Sequence, residues 1–259
     1  MDLGLKGKVA LVTGASKGMG RACALGLAAE GARVAMCARN EGELKSAVDE
    51  VKAATKADVI GVAADVTKAD QVRTLVARVT EALGAPDILI ANCGGPPRGY
   101  FDDFGDEAWQ GAVDVSLMST VRLVRAVLPG MRAKRWGRIL TIQSVSVKQP
   151  LPELLLSNAV RPGVAGLMKT LALQLGKENI LVNTLCPGRI LTDRLMGGLG
   201  QSGLSREEYL ARQGAEIPMG RVGTAEEFAN VAVFLASERA SYVTGVAIQV
   251  DGGLVRGLL

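Results

Sequence analysis

Short runs of apolar residues alternate along this chain with longer stretches in which apolar positions recur every three or four residues. The short runs occupy 9–13, 33–38, 59–64, 88–92, 139–144, 181–185 and 247–250. Between them, 19–30, 42–54, 68–83, 107–133, 153–176 and 225–237 carry helical spacing. Leu117, Val121, Val124 and Leu128, for example, share one helical face. Strands apolar on both faces, separated by amphipathic helices, predict a parallel sheet covered on both sides through right-handed crossovers. The chain therefore reads as α/β: residues 1–259 form a single doubly wound domain, a seven-stranded parallel sheet with helices on both faces.

Ligands of such sheets bind at the carboxyl ends of the strands. The longest irregular stretch there is 188–214, rich in Gly and Leu, with one helix expected near 205–213. Long loops in compact domains are usually functional, so it reads as a substrate lid, with a poorly ordered surface insertion as the alternative.

Composition narrows the chemistry. The chain has no histidine, which removes the commonest general base and metal ligand together, and no metal site is expected. A net charge of +4 is too small to argue for nucleic acid. The densest basic run, Arg132, Lys134, Arg135 and Arg138, falls where a long helix should end. Charge–dipole placement and solvation explain that run, and docking of an acidic carrier protein is the alternative. Four cysteines far apart, Cys23, Cys37, Cys93 and Cys186, fit a reduced setting. The first residues hold no apolar signal segment, and no run approaches membrane-spanning length, so a cytoplasmic protein is expected.

The most informative segment is Thr13-Gly14-Ala15-Ser16-Lys17-Gly18-Met19-Gly20. Tight turns use glycine for φ > 0 in many places. A glycine turn between a buried strand and a helix start is different: backbone N–H groups, the helix dipole and close approach of a phosphate together make an anion site. The reading is a bound dinucleotide. An NAD enzyme needs a carboxylate after the second strand for the ribose 2′-OH, and here Cys37-Ala38-Arg39-Asn40 offers none. Arg39, aided by Lys17, suits a 2′-phosphate, so NADP(H) is favoured over NAD(H).

The glycine turn, Asp65 in A-D-V-T, Asn92 in A-N-C-G-G, Cys186-Pro187-Gly188 followed by Thr192, Tyr242-Val243-Thr244-Gly245 and Asp251-Gly252-Gly253 succeed one another over nearly the whole length. In these blocks the chain resembles the short-chain dehydrogenase/reductase family, and most of all its 3-oxoacyl-carrier-protein-reductase type. The resemblance implies a Rossmann-type fold with Gly14, Ser16, Lys17, Gly18, Met19 and Gly20 around the phosphates and Arg39 at the 2′ position. It implies that Asp65 and Val66 hold the adenine, that Asn92 and Gly94 lie along the adenosine side, and that Pro187, Gly188 and Thr192 border the nicotinamide.

The family's catalytic pattern is a serine after the fifth strand, then Tyr-x-x-x-Lys about thirteen residues on, and an asparagine from the preceding helix that completes a water relay. Aligning G-R-I-L-T-I-Q-S places that serine on Ser144, the tyrosine position on Ser157, the lysine position on Arg161 and the asparagine position on Ser116. Serine is shorter than tyrosine and a far weaker acid than a phenol of pKa about 10. Arg161 keeps its proton but can bond the nicotinamide ribose and stabilise a developing alkoxide. Pro162 should kink the helix unless it lies in the first turn. Of the three tyrosines, Tyr242 reads as structural, Tyr209 as a solvated lid residue able to swing in, and Tyr100 as the best substitute donor, with packing at its loop base as the alternative. Lys148 and Glu153 fall near the site by sequence, and Leu151 with 154–156 could line an apolar pocket or simply pack.

Three functions remain open at this level. The first is an NADP(H)-dependent carbonyl reductase with an atypical proton source, acting on a small carbonyl or alcohol substrate. The second is a non-catalytic NADP(H)-binding sensor or assembly partner. The third, a lyase like the halohydrin dehalogenases, fits least, because those keep the tyrosine and lack the glycine turn. The apolar tail 254–259 suits the C-terminal contacts of the family's tetramers, so a homotetramer or homodimer is expected.

Overall fold

The computed structural model describes residues 1–258; the last position of the 254–259 tail lies outside the described residues. Seven parallel strands stand in the order β3-β2-β1-β4-β5-β6-β7. They are β1 Val9–Thr13, β2 Arg33–Ala38, β3 Val59–Ala63, β4 Ile88–Ala91, β5 Gly137–Ile142, β6 Ile180–Pro187 and β7 Ala247–Val250. Residues of β1, β2, β4, β5 and β6 are almost wholly buried, as strands covered on both faces must be. Their side chains alternate between two cores. Ala10, Val12, Ile88 and Ile90 face one, while Val9, Leu11 and Leu89 face the other.

The first core is closed by α1 Gly18–Ala29, α2 Glu41–Thr55 and α10 Ala225–Ala236. The second is closed by α3 Ala69–Leu83, α5 Ser119–Lys134 and α6 Leu155–Leu175. Helix α3 shows the predicted stripe, with Val72, Leu75, Val79 and Leu83 buried. Asn40 caps α2 by accepting from the Glu43 amide at 3.0 Å, and Thr224 with Glu227 forms a capping box on α10. The chain builds outward from β1 to β3, then crosses back to β4 and builds the other way. The order reverses between β1 and β4, and a crevice opens there at the carboxyl ends.

Three expectations change. The helix read over 107–133 is two helices, α4 Asp106–Val113 and α5, joined by a π turn at Asp114–Met118. Ser119 Oγ donates to the Val115 carbonyl at 2.6 Å and Thr120 Oγ1 to the Ser116 carbonyl at 3.0 Å, so side chains compete for the carbonyls of the widened turn. The stretch 188–214 is largely helical rather than irregular: α7 Asp193–Met196, α8 Leu199–Ser202 and α9 Arg206–Gly214. Thr192 caps the first and a Ser205–Glu208 box caps the third. Arg138 does not belong to a solvated basic run. It lies buried in β5, bonding the carbonyls of Ser237 and Asn179 and stacking 4.2 Å from the Trp136 ring. Helix α6, for its part, continues through Pro162. Among the described residues no helix is long and apolar enough to cross a membrane.

Asp87 ties the sheet to its cover. Its carboxylate accepts from the buried Val9 amide at 2.8 Å and from Lys134 Nζ, at the end of α5, at 2.7 Å. Asp87→Ala leaves the buried Val9 amide unmatched and Lys134 with only the Ala85 carbonyl, and is expected to cost about 1–3 kcal/mol in urea unfolding. A midpoint equal to that of the parent would refute this role.

Candidate active site

The crevice is held open by a small hydrogen-bonded bracket. Thr13 Oγ1 donates to the Asn92 carbonyl at 2.7 Å, the Asn92 amide donates back at 3.0 Å, and Asn92 Nδ2 donates to the Gly14 carbonyl at 3.1 Å. The tips of β1 and β4 are thereby fixed to each other and to the glycine turn. Gly14 takes φ +57, and a Cβ on Gly20 would lie 2.2 Å from the Gly14 carbonyl oxygen, so neither tolerates a side chain. Helix α1 begins at Gly18 with no side-chain cap and no acid in its first turn, unlike α9 and α10. Its first N–H groups and the positive end of its dipole are left for an external anion, which fits the phosphates of a dinucleotide.

Around this turn, Arg39 is exposed at the end of β2. Lys17 stands 3.6 Å from Glu43 and 3.9 Å from Asp193, so part of its charge is already engaged. Ser16 Oγ donates to the same Glu43 at 3.4 Å. Asp65 accepts from the amide and hydroxyl of Thr67 at 2.9 and 2.8 Å. Burial alone would raise its pKa, but those bonds and nearby Arg39 hold it below the usual carboxylate value. Val66 is buried beside it, and Gly94 is exposed with open space around its Cα.

A cavity of about 550 Å³ lies beside the bracket. Of the positions singled out by sequence, Met19, Asn92, Ser144, Ser157, Arg161, Pro187, Gly188 and Thr192 line it. A Cβ on Gly188 would sit 2.7 Å from Asp251 Cβ, which accounts for glycine there. Gly14, Ser16, Lys17, Gly18, Gly20, Arg39, Asp65, Val66 and Gly94 lie outside this cavity. Ser144 follows β5, and its hydroxyl oxygen accepts from the Ser146 amide at 3.1 Å, which fixes its rotamer and leaves its own proton to donate. Ser157 and Arg161 stand one turn apart on α6 and are 3% and 6% exposed.

Arg161 is the unusual group. Its Nη1 donates to Gln143 Oε1 at 3.1 Å, its Nε has no partner, and among the described residues no carboxylate pairs with it. Burial pushes its pKa down from the usual arginine value. Ser116 is buried in the π turn with its hydroxyl unpartnered, but it does not line the cavity. Sequence reading missed Gln143, which orients Arg161. It also missed Arg194, which reaches from α7 to the carbonyls of Gly95 and Pro96 at 3.3 and 3.0 Å, and the cavity wall Leu254, Val255 and Arg256. These contacts join positions far apart in the chain, so no local motif announces them.

A family model described as enoyl-(acyl carrier protein) reductase matches residues 14–255. The chain is 35% identical to the 3-oxoacyl-[acyl-carrier-protein] reductase FabG of Escherichia coli (strain K12) over 254 residues, covering 97% of this chain and 99% of that one. The chain belongs to the short-chain dehydrogenase/reductase family. L-sorbose reductase from Gluconobacter frateurii, solved with NADPH and L-sorbose, superposes with TM-score 0.96 at 37% identity over 100% of both chains. An NADPH-bound short chain oxidoreductase from Pseudomonas aeruginosa PAO1, described as containing an atypical catalytic center, superposes at 0.91 with 31% identity, covering 96% of this chain and 97% of that one.

In this member of the short-chain dehydrogenase/reductase family no tyrosine lines the cavity among the described residues. Tyr100, the favoured substitute donor by sequence, is 63% exposed, and Tyr242 is fully exposed. Tyr209 is buried rather than solvated, its hydroxyl donating to the Leu195 carbonyl at 2.9 Å. Glu153, Leu151 and Leu154 do line the cavity, whereas Lys148 and Leu156 do not. The side chains with polar hydrogens that line it are serines, a threonine, amides, arginines and Cys93. Cys93 Sγ donates to the Val115 carbonyl at 2.8 Å, and burial holds its pKa above the ordinary thiol value.

A buried guanidinium with no counter-ion is retained at the expense of stability. Arg161→Met is expected to leave urea stability of the ligand-free protein unchanged or to raise it by up to about 4 kcal/mol. A loss of about 3 kcal/mol or more would instead make Arg161 a structural member of the core.

Proposed function

We propose that the chain is an NADP(H)-dependent carbonyl reductase in which Ser144 and Arg161 stabilise the reduced oxygen without a tyrosine. The observation that carries this reading is the convergence of Ser144, Ser157 and the uncompensated Arg161 on one cavity beside an open, uncapped helix N-terminus. When bound, the nicotinamide supplies the hydride. Ser144 donates its proton-bearing hydroxyl to the carbonyl oxygen. Arg161, in the place of the family's lysine, bonds the nicotinamide ribose and puts fixed positive charge where the alkoxide forms. Ser157, in the place of the family's tyrosine, donates a hydrogen bond but not a proton, and Ser116 in the place of the asparagine is too short to complete the same relay. The alkoxide takes its proton from water through the cavity mouth. Hydride transfer is thereby slowed relative to a phenol-assisted reaction but not forbidden.

The phosphorylated cofactor is supported by Arg39 at the end of β2 without a neighbouring acid on that strand, and by the NADPH in the sorbose reductase and Pseudomonas structures. With this reading go residues 188–214 as a substrate lid, a cytoplasmic setting and a homotetramer or homodimer. The absence of a cavity tyrosine favours a second reading, a non-catalytic NADP(H)-binding sensor or assembly partner.

NADPH oxidation followed at 340 nm over aldehydes, ketones and 3-oxoacyl thioesters separates the two readings. Turnover is expected, with Ser144→Ala lowering kcat/KM by about 10²–10³-fold. NADPH binding without turnover on any substrate, together with activity gained from nothing in Ser157→Tyr/Arg161→Lys, establishes the second reading instead.

A further inference from the structure

The charges lining the cavity do not balance. Five arginines and two glutamates face it. Glu216 is taken up by Arg189, and Glu153 stands 4.0 Å from Arg98. Arg161, Arg194 and the exposed Arg256 have no carboxylate within ion-pair distance among the described residues. Arg161 bonds only the neutral amide of Gln143, with its Nε buried and unpartnered, and Arg194 bonds only the carbonyls of Gly95 and Pro96. Arg194 is close enough to Arg161 to make the latter's charge harder to keep. Two like charges facing one cavity from α6 and α7 cost energy that an anion between them would recover.

The dinucleotide does not supply that anion at Arg161. Its phosphates belong to the glycine turn after β1, whereas Arg161 bonds the residue after β5. With β4 between them and strands spaced by about 4.8 Å, the two sites are about 10 Å apart. The ribose near Arg161 carries neutral hydroxyls, which can accept hydrogen bonds but cannot offset charge.

We propose that the cavity selects an anionic carbonyl compound, an oxo acid whose carboxylate is held between Arg161 and Arg194. This inference rests on the reductase reading and names its substrate class. Arg194 is the specificity residue: its planar fork takes a carboxylate with two parallel bonds, replacing loop carbonyls that leave its charge unanswered. Neutral ketoses and esters leave both cations unpaired and bind poorly.

The test compares a 2-oxo acid, its methyl ester and L-sorbose as substrates with NADPH, in the parent and in Arg194→Gln. The oxo acid is expected to exceed the ester in kcat/KM by about ten- to a hundredfold. Arg194→Gln should raise KM for the acid by a similar factor and narrow the preference for acid over ester. Equal or better reduction of the ester or the ketose overturns the proposal and leaves the reductase reading intact. If nothing is reduced, the reductase reading fails. The corresponding 2-hydroxy acid and its methyl ester are then titrated into NADPH-loaded protein and followed by nicotinamide fluorescence. Saturable binding of the acid over the ester, weakened by salt and by Arg194→Gln, supports the carboxylate site. No binding of the acid, or equal binding of its ester, overturns it.

Discussion

Everything functional in this molecule hangs on the reversal of strand order between β1 and β4. Two crossovers leave those neighbouring strands for opposite faces, so no helix covers the gap above their carboxyl ends. A gap in a sheet edge exposes backbone groups that need partners. Thr13 and Asn92 provide them, joining the two strand tips and the Gly14 carbonyl in one closed set of bonds. The crevice is therefore stiff as well as open. The glycine turn can present its amides at a fixed height, and the cavity beyond it inherits a rigid floor.

On that floor the chain places a buried positive charge and no negative one to meet it. Burial of a guanidinium costs several kcal/mol unless hydrogen bonds and a counter-ion offset it. Gln143 supplies one hydrogen bond, and the buried Nε has no partner. A tyrosine–lysine site divides its work between a proton donor and a cation. Here the cation is larger and permanently charged, while the tyrosine position holds a serine, which can give a hydrogen bond but not a proton. On the proposed reading the balance moves from acid catalysis toward electrostatic stabilisation, and the same charge that would steady an alkoxide would draw an anionic substrate.

Much of the fold was legible because its signals are local. Apolar runs of four to six residues marked all seven strands to within a few residues. The failures were also physical. The π turn at Asp114–Met118 keeps helical periodicity on both sides, so a pattern count passes straight over it. Helices α7 and α8 are four residues each, too short to show a period. Arg138 looked like one more solvated charge at a helix end, but its stack on Trp136 and its carbonyl partners lie in segments up to 99 positions away.

The sequence by itself determined the sheet and the glycine turn, and named the residues at the positions proposed as catalytic, Ser144, Ser157, Arg161 and Ser116. These follow from residue type and from spacing along a single element, which short-range sterics and helical geometry convert directly into structure. Only the tertiary structure decided what surrounds those groups: that no tyrosine reaches the cavity, that Gln143 rather than a carboxylate meets Arg161, and that Arg194 and the C-terminal segment complete the wall. Charge balance is a property of a volume. Its contributions come from β4, β5, α6, α7 and the tail at once, and no one-dimensional pattern sums charges over a volume.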